Sequence, residues 1–265
     1  MTGRDDFQGL ARYYDSIMDH IDYDRWVVVT SLVADWLAVE SVRHVDVACG
    51  TGVLLKKLRQ HGWSSVGLDL SPAMAREAAK GPYAPPTFAA DMCALPLRDS
   101  SSTLMTCFFD SLNFLLDYDE LVQAFREVAR VLDDDGIYYF DMITERMVTE
   151  YFANQTWTER SGKFKTSWGG QYDSVGRILD LNVQVHSRPP ELLRERVYYP
   201  SEIHEALEEA GLVLLREVDS ETWEKPTHKT VRVEMIAGKK SGTQLGRNMD
   251  KLVEHIQDVL SDLGH

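Results

Sequence analysis

The spacing of apolar positions changes several times along the chain, and each change marks a different kind of element. Phe7, Leu10, Tyr14, Ile17 and Met18 recur at helical intervals, as do Trp26, Val29, Val33, Trp36 and Leu37, which predicts helices over residues 7–40. From residue 44 short β-rich runs take over, at 44–49, 65–70, 86–92, 102–110 and 137–142. Helical patterns separate them at 53–62, 71–80 and 119–132. Gly62 stops the first, Ser71 caps the second with Pro72 following, and the acidic turn Asp133-Asp134-Asp135-Gly136 closes the third. This alternation predicts parallel βαβ units with helices on both faces of a sheet.

The pattern then changes. Residues 155–199 alternate polar with apolar or aromatic positions and carry Gly162, Gly169, Gly170 and Gly176 as candidate turns, so an inserted antiparallel ribbon is expected. A capped helix over 201–212 ends at Gly211, and 213–218 with 230–236 read as a closing hairpin. Leu245, Met249, Leu252, Val253, Ile256 and Val259 form one stripe on a terminal helix. The expected organisation is one domain over 1–240, with N-terminal helices at 7–40 and the ribbon at about 155–199, and a helical tail over 241–265. The stripe of that tail needs cover, and self-association through it is the expectation.

Composition narrows the function classes. With 44% hydrophobic and 26% charged residues the chain is of ordinary globular type, and no apolar run reaches the roughly 20 residues of a membrane span. Met1 to Asp6 show no basic-then-apolar leader pattern, so the cytoplasm is expected. A net charge of −14 disfavours nucleic acid as a partner. Cys49, Cys93 and Cys107 are odd in number and lack CxxC spacing, and the eight histidines form no HxxxH or HExxH pattern; no metal site is expected.

Candidate chemistry sits at successive strand ends, where open α/β sheets bind ligands. "VDVACGTG" (45–52) ends the first strand in small residues, and Gly50 and Gly52 let a ligand approach backbone. Asp69 ends the second strand, where a carboxylate can accept hydrogen bonds from ribose hydroxyls. Asp91 ends the third, placed to take an adenine amine, with Met92 covering the ring. A dinucleotide site would want a third glycine where Leu55 stands, which disfavours a nicotinamide oxidoreductase and points to an adenosine without a pyrophosphate.

These residues resemble the class I S-adenosylmethionine-dependent methyltransferases, small-molecule branch. Asp46, Ala48, Gly50 and Gly52 match the first motif, with Ala48 in place of its first glycine; Cys49 and Thr51 lie within it. Asp69 and Leu70 in "GLDLS" and Asp91 and Met92 in "ADMCALPL" match the second and third motifs. Phe109 and Asp110 in "FFDSLNFL" match the fourth, facing the methyl group, and Tyr14 in "ARYYD" matches the tyrosine that closes over the methionine moiety.

The resemblance implies a doubly wound seven-stranded sheet of order 3-2-1-4-5-7-6 with strand 7 antiparallel. It also implies S-adenosylmethionine as cofactor and direct in-line methyl transfer to a small-molecule nitrogen or oxygen nucleophile. The ribbon would then be a lid, its aromatics Trp157, Phe164, Trp168 and Tyr172 facing the acceptor. Asp110 is the candidate catalytic carboxylate, able to orient an amine or accept a proton. Cys49 has no histidine near it in sequence and is not expected to be a nucleophile. A cofactor-binding protein without catalysis is the other class that fits these residues.

Overall fold

The computed structural model describes residues 7–37, 39, 41–239 and 248–263. Residues 7–13 run as turns into a one-turn helix, α1 (Tyr14–Ile17), rather than the longer helix expected there. Gly9 explains the difference: a Cβ at that position would meet the Glu191 carboxylate at 1.8 Å, so this segment follows the surface of the inserted ribbon. Asp22 then caps α2 (Tyr23–Trp36) by accepting hydrogen bonds from the Asp24 and Arg25 amides.

The alternating series follows as β1 (His44–Val47), α3 (Val53–Gln60), β2 (Ser65–Asp69), α4 (Pro72–Ala78), β3 (Thr87–Ala89), β4 (Ser102–Cys107), α5 (Tyr118–Val131) and β5 (Leu132–Ile143). Ser71 caps α4, accepting a hydrogen bond from the Met74 amide, with Pro72 behind it. The acidic run 133–136 lies within β5 instead of before it. Ser102 pairs with Leu132 but Leu104 pairs with Ile137, so the intervening residues bulge from the strand, where their charges stay in water.

A short helix α6 (Glu145–Met147) leads into four antiparallel strands: β6 (Thr156–Ser161), β7 (Phe164–Asp173), β8 (Ile178–Val185) and β9 (Glu191–Arg196). Gly162 and Gly176 stand at turns, whereas Gly169 and Gly170 are inside β7. A Cβ at Gly170 would come within 2.2 Å of the Phe152 carbonyl oxygen, so this glycine admits a crossing backbone and makes no turn. Helix α7 (Pro200–Glu209), strands β10 (Leu212–Asp219) and β11 (Arg232–Lys239), and helix α8 (Met249–Leu263) complete the fold.

The main sheet runs β10-β11-β5-β4-β1-β2-β3, with β11 antiparallel to both neighbours. This is the strand order 3-2-1-4-5-7-6 expected from the sequence. Side chains on its strands alternate between two cores: Met105, Cys107, Tyr138 and Phe140 meet α5 and α7, while Leu104, Ile137 and Tyr139 meet α2, α3 and α8. A third core joins the four-stranded sheet to α1, through Leu10, Ile17, Leu181 and Val183.

Met249, Leu252, Ile256 and Leu260 of α8 are buried against this same chain, so their stripe needs no second copy to cover it. Leu245 lies outside the described residues, and Val259 falls on the flank. The premise for self-association through this helix is thereby removed. Ile256→Ala should lower stability by about 2–5 kcal/mol in chemical denaturation, as a cavity in a packed core does, without altering the species seen by light scattering. A change of assembly state with little loss of stability would return the helix to the role of an interface.

Candidate active site

β1 lies between β2 and β4, and the chain leaves it in opposite directions on its two sides, which opens a crevice at the carboxyl ends of the strands. The loop after β1 is unusual in its backbone. Ala48 (φ 58°), Gly50 (φ 57°) and Gly52 (φ 72°) all take the left-handed conformation. Ala48 therefore carries the geometry of the glycine it replaces, against the preference of a residue with a Cβ.

Asp69 holds this loop. One carboxylate oxygen accepts the Gly50 amide at 2.8 Å and the other accepts the Ser71 amide at 2.8 Å, linking the first loop to the start of α4. A carboxylate offers about four acceptor positions, more than the two that grip the loop. A Cβ built on Gly50 would meet only the Tyr14 ring, at 3.8 Å, so this backbone faces open space under an aromatic side chain. Gly52 has another reason to be glycine: its Cβ would press Ala78 of α4 at 3.0 Å. Likewise Gly67 of β2 makes room for the Cys49 thiol and for Leu55, whose atoms would lie 2.7 and 2.8 Å from a Cβ there. Burial, with Asp46 and Asp69 nearby, raises the Cys49 thiol well above its ordinary value, which leaves it protonated and a poor nucleophile.

A cavity of about 610 Å³ opens from this loop, within the size range of small-molecule sites. Tyr14, Ala48, Gly50, Asp69, Leu70, Asp91, Met92 and Phe109 line it. A small separate recess, which shares Tyr14, Ala48, Gly50, Phe109 and Ser111 with it, is bounded by Asp46, Cys49 and Thr51. Thr51 donates a hydrogen bond to Asp15, which seats the α1 segment on the loop. The sequence reasoning missed Asp117, Asp119 and Glu120 at the start of α5, and Arg194 of β9, which also line the cavity. Their sequence signal is weak: charged residues at a helix start and on an alternating strand are ordinary features.

Beneath the loop runs a buried polar chain. The Thr106 hydroxyl donates to Asp46 at 2.5 Å, so the His44 Nε2–H donates to Thr106 at 2.9 Å and Ser65 donates to His44 Nδ1 at 2.9 Å. Burial raises the Asp46 carboxyl to about 7 despite the Thr106 bond, and burial lowers His44 to about 3.

Two sequence-based expectations are corrected. Asp110 does not line the cavity. Its carboxylate accepts a hydrogen bond from Arg232 Nη2 at 2.8 Å, and Arg232 Nη1 also pairs with the wholly buried Asp141. Phe109 and Asp110 are both left-handed (φ 59° and 56°), a strained pair that turns the chain into the 3-10 turn Ser111–Phe114 and swings Asp110 toward β11. The ribbon aromatics are also not cavity walls. Trp157 stacks on Trp168 with centroids 5.7 Å apart, Phe164 packs edge-on against Tyr13, and the Tyr172 hydroxyl bonds Glu145. They hold the four-stranded sheet together and to α1. That sheet is stitched to the loop after β4 by the Asn113 amide on the Arg196 carbonyl at 2.8 Å and the Tyr198 hydroxyl on the Leu115 carbonyl at 2.6 Å.

An open seven-stranded sheet of this order, with a glycine-bearing loop after its first strand and acids at the next two strand ends, defines the methyltransferase fold. Residues 45–140 match the family described as a methyltransferase domain. The matched residues are thus a methyltransferase domain, and the fold around them is that of S-adenosylmethionine-dependent methyltransferases of known structure.

It is 27% identical over 240 residues to YqeM of Bacillus subtilis (strain 168), provisionally named a methyltransferase; the match covers 86% of this chain and 94% of that one. Its fold is shared with an S-adenosylmethionine-dependent methyltransferase from Clostridium acetobutylicum ATCC 824 (TM-score 0.76, 23% identity, 88% of this chain and 98% of that one). It is shared also with S-adenosylmethionine-bound CalS10 of Micromonospora echinaspora, an amino pentose methyltransferase (TM-score 0.62, 17% identity, 83% and 92%). The nicotinamide oxidoreductase reading is set aside.

The buried chain beneath the loop gives a pH signature. Between 3.8 and 6.5, the ordinary values of the two groups, folded Asp46 keeps a proton that the unfolded chain has lost, so its contribution to stability falls as pH rises. Over the same window folded His44 is neutral while the unfolded imidazole is charged, so its contribution rises. The two slopes oppose each other. Asp46→Asn should therefore make stability climb more steeply from pH 4 to 6.5 than in the wild type, by urea denaturation. An unchanged slope would mean that the two groups do not titrate as a buried pair.

Proposed function

We propose that the protein transfers the methyl group of S-adenosylmethionine to a nitrogen or oxygen of a small-molecule acceptor by direct displacement, within the cavity at the carboxyl ends of β1, β2 and β4. The observation that carries this reading is the left-handed loop 48–52, held by Asp69 and opening onto a cavity of about 610 Å³. When bound, the cofactor supplies an activated methyl group on a sulfonium, so the chain's own task is to bind, orient and exclude water.

In this reading Asp69 receives the ribose hydroxyls, with Leu70 beside it. Asp91 takes the adenine amine with Met92 against the ring. The backbone of Ala48, Cys49 and Gly50 lies along the methionine portion, between Tyr14 and Phe109. Asp46, Thr51 and Gly52 shape the loop from behind. Acidic residues on several sides, Asp69, Asp91, Asp117, Asp119 and Glu120, suit a cationic cofactor and disfavour a polyanionic acceptor. The net charge of −14 argues in the same direction against nucleic acid. An amino pentose methyltransferase among the proteins of like fold supports a small-molecule acceptor. A cytoplasmic location accords with this reading.

Binding calorimetry tests the cofactor half of the assignment. S-adenosylhomocysteine should bind the wild type, and nicotinamide dinucleotides should give no heat. Asp69→Ala should weaken S-adenosylhomocysteine by about 1–3 kcal/mol, through lost ribose contacts and the released Gly50 amide. Wild-type affinity in that variant would remove Asp69 from the cofactor site.

A further inference from the structure

The loop between β3 and β4 carries Asp91 and Met92 to the cavity, yet residues 90–101 form neither helix nor strand and only Leu95 among them is buried. Its order comes from one stripe of α5, where Glu120, Gln123, Glu127 and Arg130 recur three or four positions apart. Leu121, Phe125 and Val128 of the same helix face the core instead. The Cys93 thiol donates to the Glu120 carbonyl at 3.5 Å, and the Gln123 side-chain amide donates to the Cys93 carbonyl at 3.2 Å. The Glu127 carboxylate accepts the Leu95 amide at 2.7 Å. Arg130 donates to the Leu95 carbonyl at 2.9 Å, to the Leu97 carbonyl at 2.7 Å and to Asp99 at 2.7 Å.

Glu127 and Arg130 grip each other as well as the loop. Arg130 Nε donates to Glu127 Oε1 at 2.9 Å, and Nη2 donates to Oε2 at 2.7 Å. Only a planar guanidinium can hold a carboxylate by two parallel bonds and reach two carbonyls besides; an ammonium is a point donor. The bond from Arg130 holds the Glu127 carboxyl below its ordinary value, so it stays an acceptor for the Leu95 amide. The clamp reaches Asp91 through a short chain of bonds. Asp91 Oδ1 accepts the Cys93 amide at 2.8 Å, and the Asp91 carbonyl accepts the Ala94 amide at 3.0 Å. The direction of the Asp91 carboxylate therefore follows from where residues 93–95 are held. Neither Glu127 nor Arg130 lines the cavity, so any effect they have on a ligand passes through this loop.

We propose that Glu127 and Arg130 set the selectivity for the adenine base, as positioning residues that act through the loop after β3. This rests on the methyl-transfer reading above, in which Asp91 takes the adenine amine, and deepens it. A carboxylate tells an amine from a carbonyl oxygen by attracting the one and repelling the other, and both effects weaken steeply once the group can draw back from hydrogen-bond distance. A loop without helix or strand gives Asp91 no fixed position of its own. The Glu127–Arg130 clamp supplies it.

S-inosylhomocysteine is the probe, because a carbonyl oxygen stands where S-adenosylhomocysteine carries its exocyclic amine. By calorimetry the wild type should favour S-adenosylhomocysteine about tenfold or more, the gain of a hydrogen bond to a charged group. Arg130→Lys, which keeps the charge but not the planar fork, should cut that preference by about threefold or more. Glu127→Gln should do the same and covers the case in which the lysine variant does not fold. In an Asp91→Ala background, Arg130→Lys should leave the preference where Asp91→Ala alone puts it. The wild-type preference retained in a folded variant, whatever its melting temperature, would reduce the clamp to a structural role and overturn the proposal. A further fall in preference in the Asp91→Ala background would overturn it too. Failure of the wild type to bind S-adenosylhomocysteine, or equal binding of the two ligands, would instead overturn the cofactor assignment beneath it.

Discussion

The site depends on one carboxylate. Asp69, at the end of β2, accepts the Gly50 amide on one oxygen and the Ser71 amide on the other, and so ties the loop after β1 to the start of α4. The tie matters because the loop is held in an unfavourable conformation, with left-handed residues at 48, 50 and 52 and a Cβ at the first of them. Without a fixed acceptor for the Gly50 amide, the loop would have several conformations of similar energy. With it, the backbone presents one surface to the cavity, and Tyr14 covers that surface from the α1 side.

Polar groups are buried at both levels of the sheet, and each set is satisfied differently. Below the loop, His44, Ser65, Thr106 and Asp46 form a closed chain in which every hydroxyl and ring nitrogen has a partner. At the carboxyl ends, Arg232 satisfies Asp110 and Asp141 only in part, and Glu195 brings a further carboxylate with a free oxygen. A closed chain fixes the scaffold. The second set lies buried behind the cavity and is not closed by hydrogen bonds among the described residues. The four-stranded sheet belongs to this second level: its aromatics pack on one another and on the α1 segment, and β9 places Arg194 in the cavity lining and buries Glu195 on its other face.

The strand order and the loop were legible because they rest on local signals: β-rich runs separated by helical ones, small residues after the first strand, acids after the next two. What was not legible depends on contacts distant in sequence. Asp110 reads as a free carboxylate until Arg232 is brought to it across 122 positions. Gly169 and Gly170 read as a turn because the crossing Phe152 carbonyl cannot be seen in the sequence. The stripe on α8 is visible, but the surface that covers it is assembled from α2 and the sheet. Glu195 looks like any charged residue on an alternating strand, and only its burial in the same face as Leu193 singles it out.

The most direct test of the account is a crystal structure of the protein with S-adenosylhomocysteine. The ribose should lie against Asp69, the adenine against Asp91 and Met92, and the sulfur between Tyr14 and Phe109, with the Gly50 amide still bonded to Asp69. A ligand bound away from the loop after β1, or one that enters only after Asp69 releases that loop, would contradict it.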